Sequence, residues 1–360
     1  MRVLISIEHP AWSWQFRKII KQIASEGDIL VLAVKKDGDT ELLDDFGISY
    51  KCLAGTTGKN VLEKAYLFLK LCVQYTLEAR KFKPDIMIGR ASPMMAIAAF
   101  ICGKPHIFYE DTEVSKFSLR ICRVLSTLIL TPENFLSDLG KKQLRVKMYK
   151  ELFYLHEQEF QPDKKVLLEN GINPDERFAV VRFIAWHASH DVGLKGLNDD
   201  GKIEFIRNLS KEIKVYISSE GDLPKELEQY RLKTPFNAIH NVLYYATLVI
   251  SEGGSTASEA VVLGTHAILL NEIKCGTTIE QEEKYELMYI FRNPSSRYKE
   301  AILKAKDLLK NSDLWDEGKK KRNRIMQDMG NPNDAYMNYV RMYAEGKEKK
   351  LHEKNIDSWS

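Results

Sequence analysis

The chain has 360 residues, 44% hydrophobic and 29% charged, which is ordinary globular composition at a length suited to two domains. A formal net charge of +3 is close to neutral for that length. Nucleic acid is therefore excluded as the main partner, because a phosphate-tracking surface carries a larger basic excess. Five cysteines, at 52, 72, 102, 122 and 275, form no CxxC pair and no metal-ligand spacing. The expectation is free, mostly buried thiols in a reducing, cytoplasmic compartment, with no disulfide framework, metal or cofactor. The best apolar runs, 94–102 and 242–250, are about half of the roughly 20 residues of a spanning helix. The N-terminus shows no signal-peptide pattern. Any membrane contact is expected to be peripheral, at the inner face.

Short β-branched runs alternate with helix-period stretches from the start, the pattern of βαβ units around a parallel sheet. Arg2–Ile7 reads as a buried first strand. A helix follows with Phe16, Ile19, Ile20 and Ile23 on one face, and Gly27 ends it. Asp28–Val34 is the second strand, and residues 49–53 a weaker third. A long helix over 59–82 stops before Pro84. Residues 86–88, His106–Tyr109 and 128–130 supply further short strands. From 131 to 163 the alternation lapses, with Lys141, Lys142, Arg145, Lys147 and Lys150 scattered among aromatics. The stretch 141–153 reads as a solvated interdomain connection, the alternative being contact with an anionic membrane or a lipid-linked acceptor. Gln161-Pro162-Asp163 reads as a hinge. The alternation resumes with strands at 178–184, 215–217, Leu248–Ser251 and 266–270, and helices at 201–210, 241–246, 255–263 and 296–309. The expected domains are 1–160 and 161–335, followed by a helix and charged tail over 336–360. The fold class is α/β, two Rossmann-like, doubly wound parallel-sheet domains facing a central cleft. Ligands in such sheets bind beyond the carboxyl ends of the strands, so the residues just after each strand are the candidates for chemistry.

The segment LVISEGGSTASEAVVLG is the most informative. A strand runs into Gly253 and Gly254, then into a helix capped by Ser255 or Thr256. Paired glycines allow close approach of a ligand to the backbone, and the amides opening a helix attract phosphate oxygens. Glu259, one turn in, suits the hydroxyls of a ribose. The alternative is an ordinary capped helix with Glu259 favouring the macrodipole; the glycines, hydroxyls and glutamate together favour a ligand. His9 follows the first strand, held extended by Pro10, as a base, a substrate contact or a mere cap. Glu110, Asp111 and Glu113 crowd one loop. Their repulsion should raise at least one pKa if the loop is enclosed, and Asp111 and Glu113 are the preferred bases. Trp186, His187, Ser189, His190 and Asp191 read as polar substrate contacts; no spaced partner supports a metal site. Arg182, inside an apolar run, reaches a diphosphate or snorkels to the sheet edge. Arg90, Ser218 and Ser219 complete the ring of loops after strands.

The ordered motifs HPA, GRASP, EDTE, WHASHD, SSEG, LYYA and SEGGSTASEAVVLGT resemble a prokaryotic domain-of-unknown-function family, number 354. That family is grouped by fold with the GT-B glycosyltransferases and the non-hydrolysing UDP-N-acetylglucosamine 2-epimerases. The resemblance covers residues 1–308. It implies a GT-B-like pair of domains with a nucleotide on the C-terminal half, Gly253, Gly254 and Ser255 on the diphosphate and Glu259 on the ribose. His9, Arg90, Asp111 and Glu113 would line the acceptor side. Trp12 and Trp14 stand where the family often has histidines, and suggest stacking on a sugar or contact with a lipid-linked acceptor. Glu252 replaces a usual aspartate and Ser6 an acidic residue. The implied activity is transfer of a sugar from a nucleotide-sugar donor to a sugar or lipid-linked acceptor, in cell-surface polysaccharide or glycoconjugate assembly. A sugar-nucleotide 2-epimerase or a non-catalytic nucleotide-binding protein are the alternatives. Oligomeric state is left open.

Overall fold

The computed structural model describes residues 1–34, 39–53, 60–185 and 196–347. These fall into two compact units, Met1–Tyr154 with Asn331–Ser360, and Leu155–Gly330. The strands of the first unit are β1 (Arg2–Ile7), β2 (Asp28–Val34), β3 (Lys51–Leu53), β4 (Ile86–Gly89), β5 (His106–Tyr109), β6 (Leu128–Pro132) and β7 (Gln143–Val146). They form one parallel sheet in the order β3-β2-β1-β4-β5-β6-β7. Its helices are α1 (Pro10–Glu26), α2 (Asp39–Asp45), α3 (Val61–Phe82), α4 (Pro93–Cys102) and α5 (Lys116–Leu125), while the short α6 (Leu152–Leu155) straddles the boundary.

In the second unit α7 (Lys164–Glu169) precedes β8 (Phe178–Phe183), α8 (Asp199–Leu209), β9 (Lys214–Ser219), α9 (Ile239–Tyr245) and β10 (Leu248–Ser251). Then come α10 (Gly254–Val262), β11 (His266–Leu269), α11 (Gly276–Glu283), β12 (Met288–Ile290), α12 (Arg297–Leu309) and α13 (Leu314–Met329). The last helix, α14 (Pro332–Ala344), lies in the part of the chain that returns to the first unit. The second sheet is also parallel, in the order β12-β11-β10-β8-β9.

Both sheets are buried on both faces, which explains why their strands read as near-continuous apolar runs. In the first, Leu4, Leu32 and Met87 pack with Leu71, Tyr75 and Ala98 of α3 and α4. Their neighbours Val3, Val31 and Ile88 point to the opposite face and are equally buried. In the second, Val181, Ile250 and Ile268 pack with Phe205 and Leu209 of α8 and Ala301 and Ala305 of α12.

Two features differ from the sequence expectation. The first unit ends at Tyr154 rather than 160, and α14 groups with it instead of forming a separate C-terminal segment. The cause is packing. Tyr336 is fully buried, its ring 5.7 Å from Phe16 and 5.6 Å from Phe153, and Arg341 pairs with Glu26 at 2.7 Å. Nor is 141–153 a solvated connection. Gln143–Val146 hydrogen-bonds along β6 as a seventh strand, and Tyr149, Leu152 and Phe153 are fully buried. Among the cysteines, Cys72 and Cys122 are buried, and burial pushes the Cys72 thiol up to about 11, while Cys52 is exposed.

Candidate active site

A doubly wound sheet opens a crevice where the strand order reverses, outside the carboxyl ends of the two strands that flank the reversal. In the second unit that point lies between β8 and β10. The register aligns Ser218, Arg182 and Ser251 across β9, β8 and β10, one residue row at this edge. Arg182 donates from Nη1 to Ser218 Oγ at 2.7 Å and from Nη2 to Glu220 Oε1 at 2.8 Å. Two bonds use two of the five guanidinium N–H groups. Arg182 and Ser218 are therefore brought together as expected. Ser219 is the next residue along the strand and so belongs to the other face.

The turn from β10 into α10 is the mouth of this crevice. Ser251 Oγ accepts from Gly253 N (3.0 Å) and donates to Gly253 O (2.7 Å), which closes the turn without a larger side chain. Gly253 is the N-cap residue and makes no side-chain cap bond. The first amides of a helix have no acceptor within the helix itself. A Cβ on Gly253 would lie 3.1 Å from Ile184 Cγ2, but one on Gly254 would meet nothing within 4 Å among the described residues. Among the described residues Gly254 thus faces open space, at a helix terminus whose dipole favours an anion. Ser255 is exposed and Thr256 half-buried beside it.

Glu259 stands one turn further in, its Oε1 3.3 Å from Nε2 of His240 on α9. That histidine is 2% exposed and the glutamate 15%. Glu252 has a structural role. Its carboxylate accepts from Ile184 N at 3.0 Å and from the Tyr298 hydroxyl at 2.5 Å, and its carbonyl accepts from Asn271 Nδ2 at 2.8 Å. Its side chain thereby ties the segment after β8 to Tyr298 of α12, and its backbone carbonyl holds the segment after β11. Trp186, His187, Ser189, His190 and Asp191 lie outside the described residues.

In the first unit the strand order reverses between β1 and β4. Glu8 and His9 follow β1, Arg90 follows β4, and Glu110 to Glu113 follow β5, so the expected residues gather at one edge of the sheet. Their chemistry differs from the expectation. Arg90 is 4% exposed and its Nη2 donates to both Glu110 and Asp111, while Nη1 donates to Gln15 Oε1 at 3.0 Å. Lys150 Nζ lies 3.4 Å from the other oxygen of Asp111. Although burial opposes the charge, Arg90 and Lys150 hold the Asp111 carboxyl well below the usual carboxylate range. The expected raised pKa is thus not found at Asp111: repulsion among the carboxylates is overcome by two buried cations. Asp111 is a fixed charge and a poor base. Glu113 accepts from Leu136 N at 3.2 Å, on the next segment of the loop edge.

His9 caps α1, its Nδ1 accepting from Ala11 N at 3.2 Å, and the residue is exposed. The cap reading is therefore realised, and it identifies Nδ1 as the unprotonated nitrogen in this arrangement. Trp14 is 5% exposed, its ring packed on Phe46 at 4.9 Å and Tyr154 at 5.6 Å, so it is core and not a sugar platform. Sequence reasoning passed over Glu8, whose Oε1 accepts from Tyr75 OH at 3.0 Å and Ser92 Oγ at 2.5 Å. Its signal was its position, the first residue after β1.

The chain matches the family described as a protein of unknown function (DUF354) over residues 1–278. No curated protein matches it. Solved structures share its fold. A UDP-GlcNAc 2-epimerase from Neisseria meningitidis bound to UDP-GlcNAc superposes with a TM-score of 0.67 at 13% identity, covering 98% of this chain and 100% of that one. S. aureus MnaA in complex with UDP gives 0.65 at 13%, covering 96% and 97%. The glycosyltransferase VinC in complex with dTDP gives 0.60 at 12%, covering 96% and 100%. At such identities the likeness is one of fold. The fold is thus of the GT-B-like kind, two parallel-sheet α/β units, shared by nucleotide-sugar enzymes of both activities.

Proposed function

For this chain, which belongs to the DUF354 family, we propose transfer of a sugar from a nucleotide-sugar donor to the hydroxyl of a sugar or lipid-linked acceptor. Cell-surface polysaccharide or glycoconjugate assembly is the setting that suits such a reaction. The observation that carries the reading is the turn at Gly254, open among the described residues, which leaves β10 at the strand reversal of the second sheet. The relatives crystallised with UDP, UDP-GlcNAc and dTDP support a nucleotide as the ligand class.

The amides at the start of α10 and the Arg182 guanidinium supply positive charge to the diphosphate as it leaves, where that charge lowers the barrier. Glu259 takes the ribose hydroxyls. Ser255 and Thr256 add hydroxyl donors at the helix start. In the first unit His9 takes the acceptor proton at Nδ1, exchanging the long bond from Ala11 N for the acceptor hydroxyl. Arg90, Asp111 and Lys150 form a fixed charge cluster that orients the surrounding loops.

That cluster also favours transfer over 2-epimerisation. Epimerisation needs two groups that exchange protons with the sugar's C2, and Asp111, the carboxylate expected to serve with His9, is tied to two cations. The test is incubation with UDP-, GDP- and CMP-sugars in deuterated water. The reading requires donor binding, donor hydrolysis or transfer, and no solvent deuterium in the recovered sugar. Deuterium entering the sugar without an acceptor selects the epimerase instead. Binding to no donor and hydrolysis of none would reject both.

A further inference from the structure

The first unit carries a surface that the nucleotide chemistry does not use. The inward face of α3 is formed by Leu71, Cys72, Tyr75 and Ala79, all buried. A helix lying on a sheet ordinarily turns polar residues outward. Here the outward face carries Leu62, Tyr66, Leu69, Val73 and Leu77, at helical spacing and between 48% and 82% exposed. Helix α4 packs against both α3 and α5 and ends in Phe100 and Ile101, 67% and 50% exposed. On α5, Phe117 and Val124 are 65% and 63% exposed. The Phe117 ring meets Phe68 of α3 edge-on at 6.2 Å, so the three helices form one apolar belt. A lone exposed leucine is unremarkable. Nine large apolar side chains on three adjoining helices form a patch that marks an interaction site.

The charge around the belt has one sign. Together α3, α4 and α5 carry seven lysines and arginines against two glutamates, in a chain whose net charge is only +3. One of those glutamates, Glu78, is already paired with Lys51 at 2.7 Å and Lys81 at 3.4 Å. Helix α5 has Lys116, Arg120 and Arg123 and no acidic residue, with Arg120 between Phe117 and Val124. Lys142 joins it from the neighbouring loop, its Nζ 2.6 Å from Val124 O.

We propose that this face rests on an anionic lipid bilayer, its apolar side chains entering the headgroup boundary and its cations pairing with lipid phosphates. Apolar burial and attraction to anionic lipid are the two terms that drive interfacial binding, and both are present on one surface. A second copy of the chain fits less well, because two-fold pairing of this face would set cations against cations. Among the described residues no helix is long and apolar enough to cross a membrane, so the contact is with the surface. The proposal does not depend on the nucleotide reading, since none of these residues belongs to either candidate site.

The test is flotation of the full chain with vesicles of mixed phosphatidylcholine and phosphatidylglycerol, and with phosphatidylcholine alone. The wild type should float with the anionic vesicles and lose that binding as salt rises. The double variant Leu69→Glu/Val73→Glu should bind at least about tenfold more weakly, since two buried apolar side chains become charged. Arg120→Gln/Arg123→Gln should lose about fivefold per charge removed. All four positions are exposed, so the circular dichroism spectrum of each variant should match the wild type. Wild-type protein that ignores anionic vesicles, or variants that bind them equally well, would overturn the proposal. So would a lipid-free dimer in light scattering that Leu69→Glu/Val73→Glu dissociates, which assigns the face to a second copy.

Discussion

Replacing Arg90 by methionine keeps most of the side chain's volume and removes its charge. Glu110, 4% exposed, then loses its arginine, and Asp111, 7% exposed, loses one of its two cations and keeps Lys150 at 3.4 Å. Breaking a buried ion pair by deleting one partner costs about 3–5 kcal/mol, because the remaining charge stays desolvated. The pH dependence carries the diagnostic sign. In the wild type the Asp111 pKa is lowered on folding, so its contribution is present above the unfolded value near 4 and is lost as pH falls toward the folded value. In Arg90→Met burial remains without its main compensation, and the Asp111 carboxyl is pushed up. The variant should therefore regain stability relative to the wild type as pH falls from about 7 to 5. Urea unfolding followed by circular dichroism at both pH values measures this. A loss below about 1 kcal/mol at pH 7, or the same loss at both pH values, would refute the argument that the cluster is held by charge.

Three further outcomes are expected. His9→Asn keeps an N-cap side chain but removes the imidazole, so thermal stability should be unchanged while turnover drops by about 10²–10⁴; His9→Ala should also lose about 1 kcal/mol of stability through the missing cap. Glu259→Ala should weaken nucleotide binding by about 1–3 kcal/mol in calorimetry without unfolding the protein, and unchanged affinity would remove Glu259 from the site. Burial lowers His106 to about 3 and His266 to about 4, so both are neutral when folded and take up a proton on unfolding. Stability should then be full above about pH 6.5 and decline toward pH 4, and His106→Gln should flatten that decline in denaturant titrations.

Much of the architecture was legible because parallel strands buried on both faces cannot hide. Arg2–Ile7, Asp28–Val34, His106–Tyr109 and Leu248–Ser251 are dense apolar runs, and each is a strand with those bounds. Gln143–Val146 was not legible, since at this edge of the sheet, unlike its centre, Arg145 is exposed, and a strand half-covered beside lysines resembles a loop. The return of α14 to the first unit rests on Tyr336 meeting Phe16 and Phe153, contacts between residues far apart in the chain. The candidate site divides the same way. The Gly253-Gly254 turn is local and was readable from its flanking strand and helix. The Arg90 cluster joins residues 20 and 21 positions apart that come together only once β4 pairs with β5. Reading the carboxylates alone predicted a raised pKa; the two cations that reverse it lie on other segments.

Calorimetric titration of the wild type and of Gly254→Ala with UDP, GDP and CMP tests the central claim most directly. Because a Cβ at Gly254 meets nothing within 4 Å among the described residues, the variant should fold with unchanged or slightly raised stability. A diphosphate seated on the opening amides of α10 would meet that methyl group. One nucleotide should therefore bind the wild type saturably and bind the variant at least about tenfold more weakly, a difference of about 1.4 kcal/mol. Equal affinity in the two proteins, or no binding by the wild type, would contradict the account.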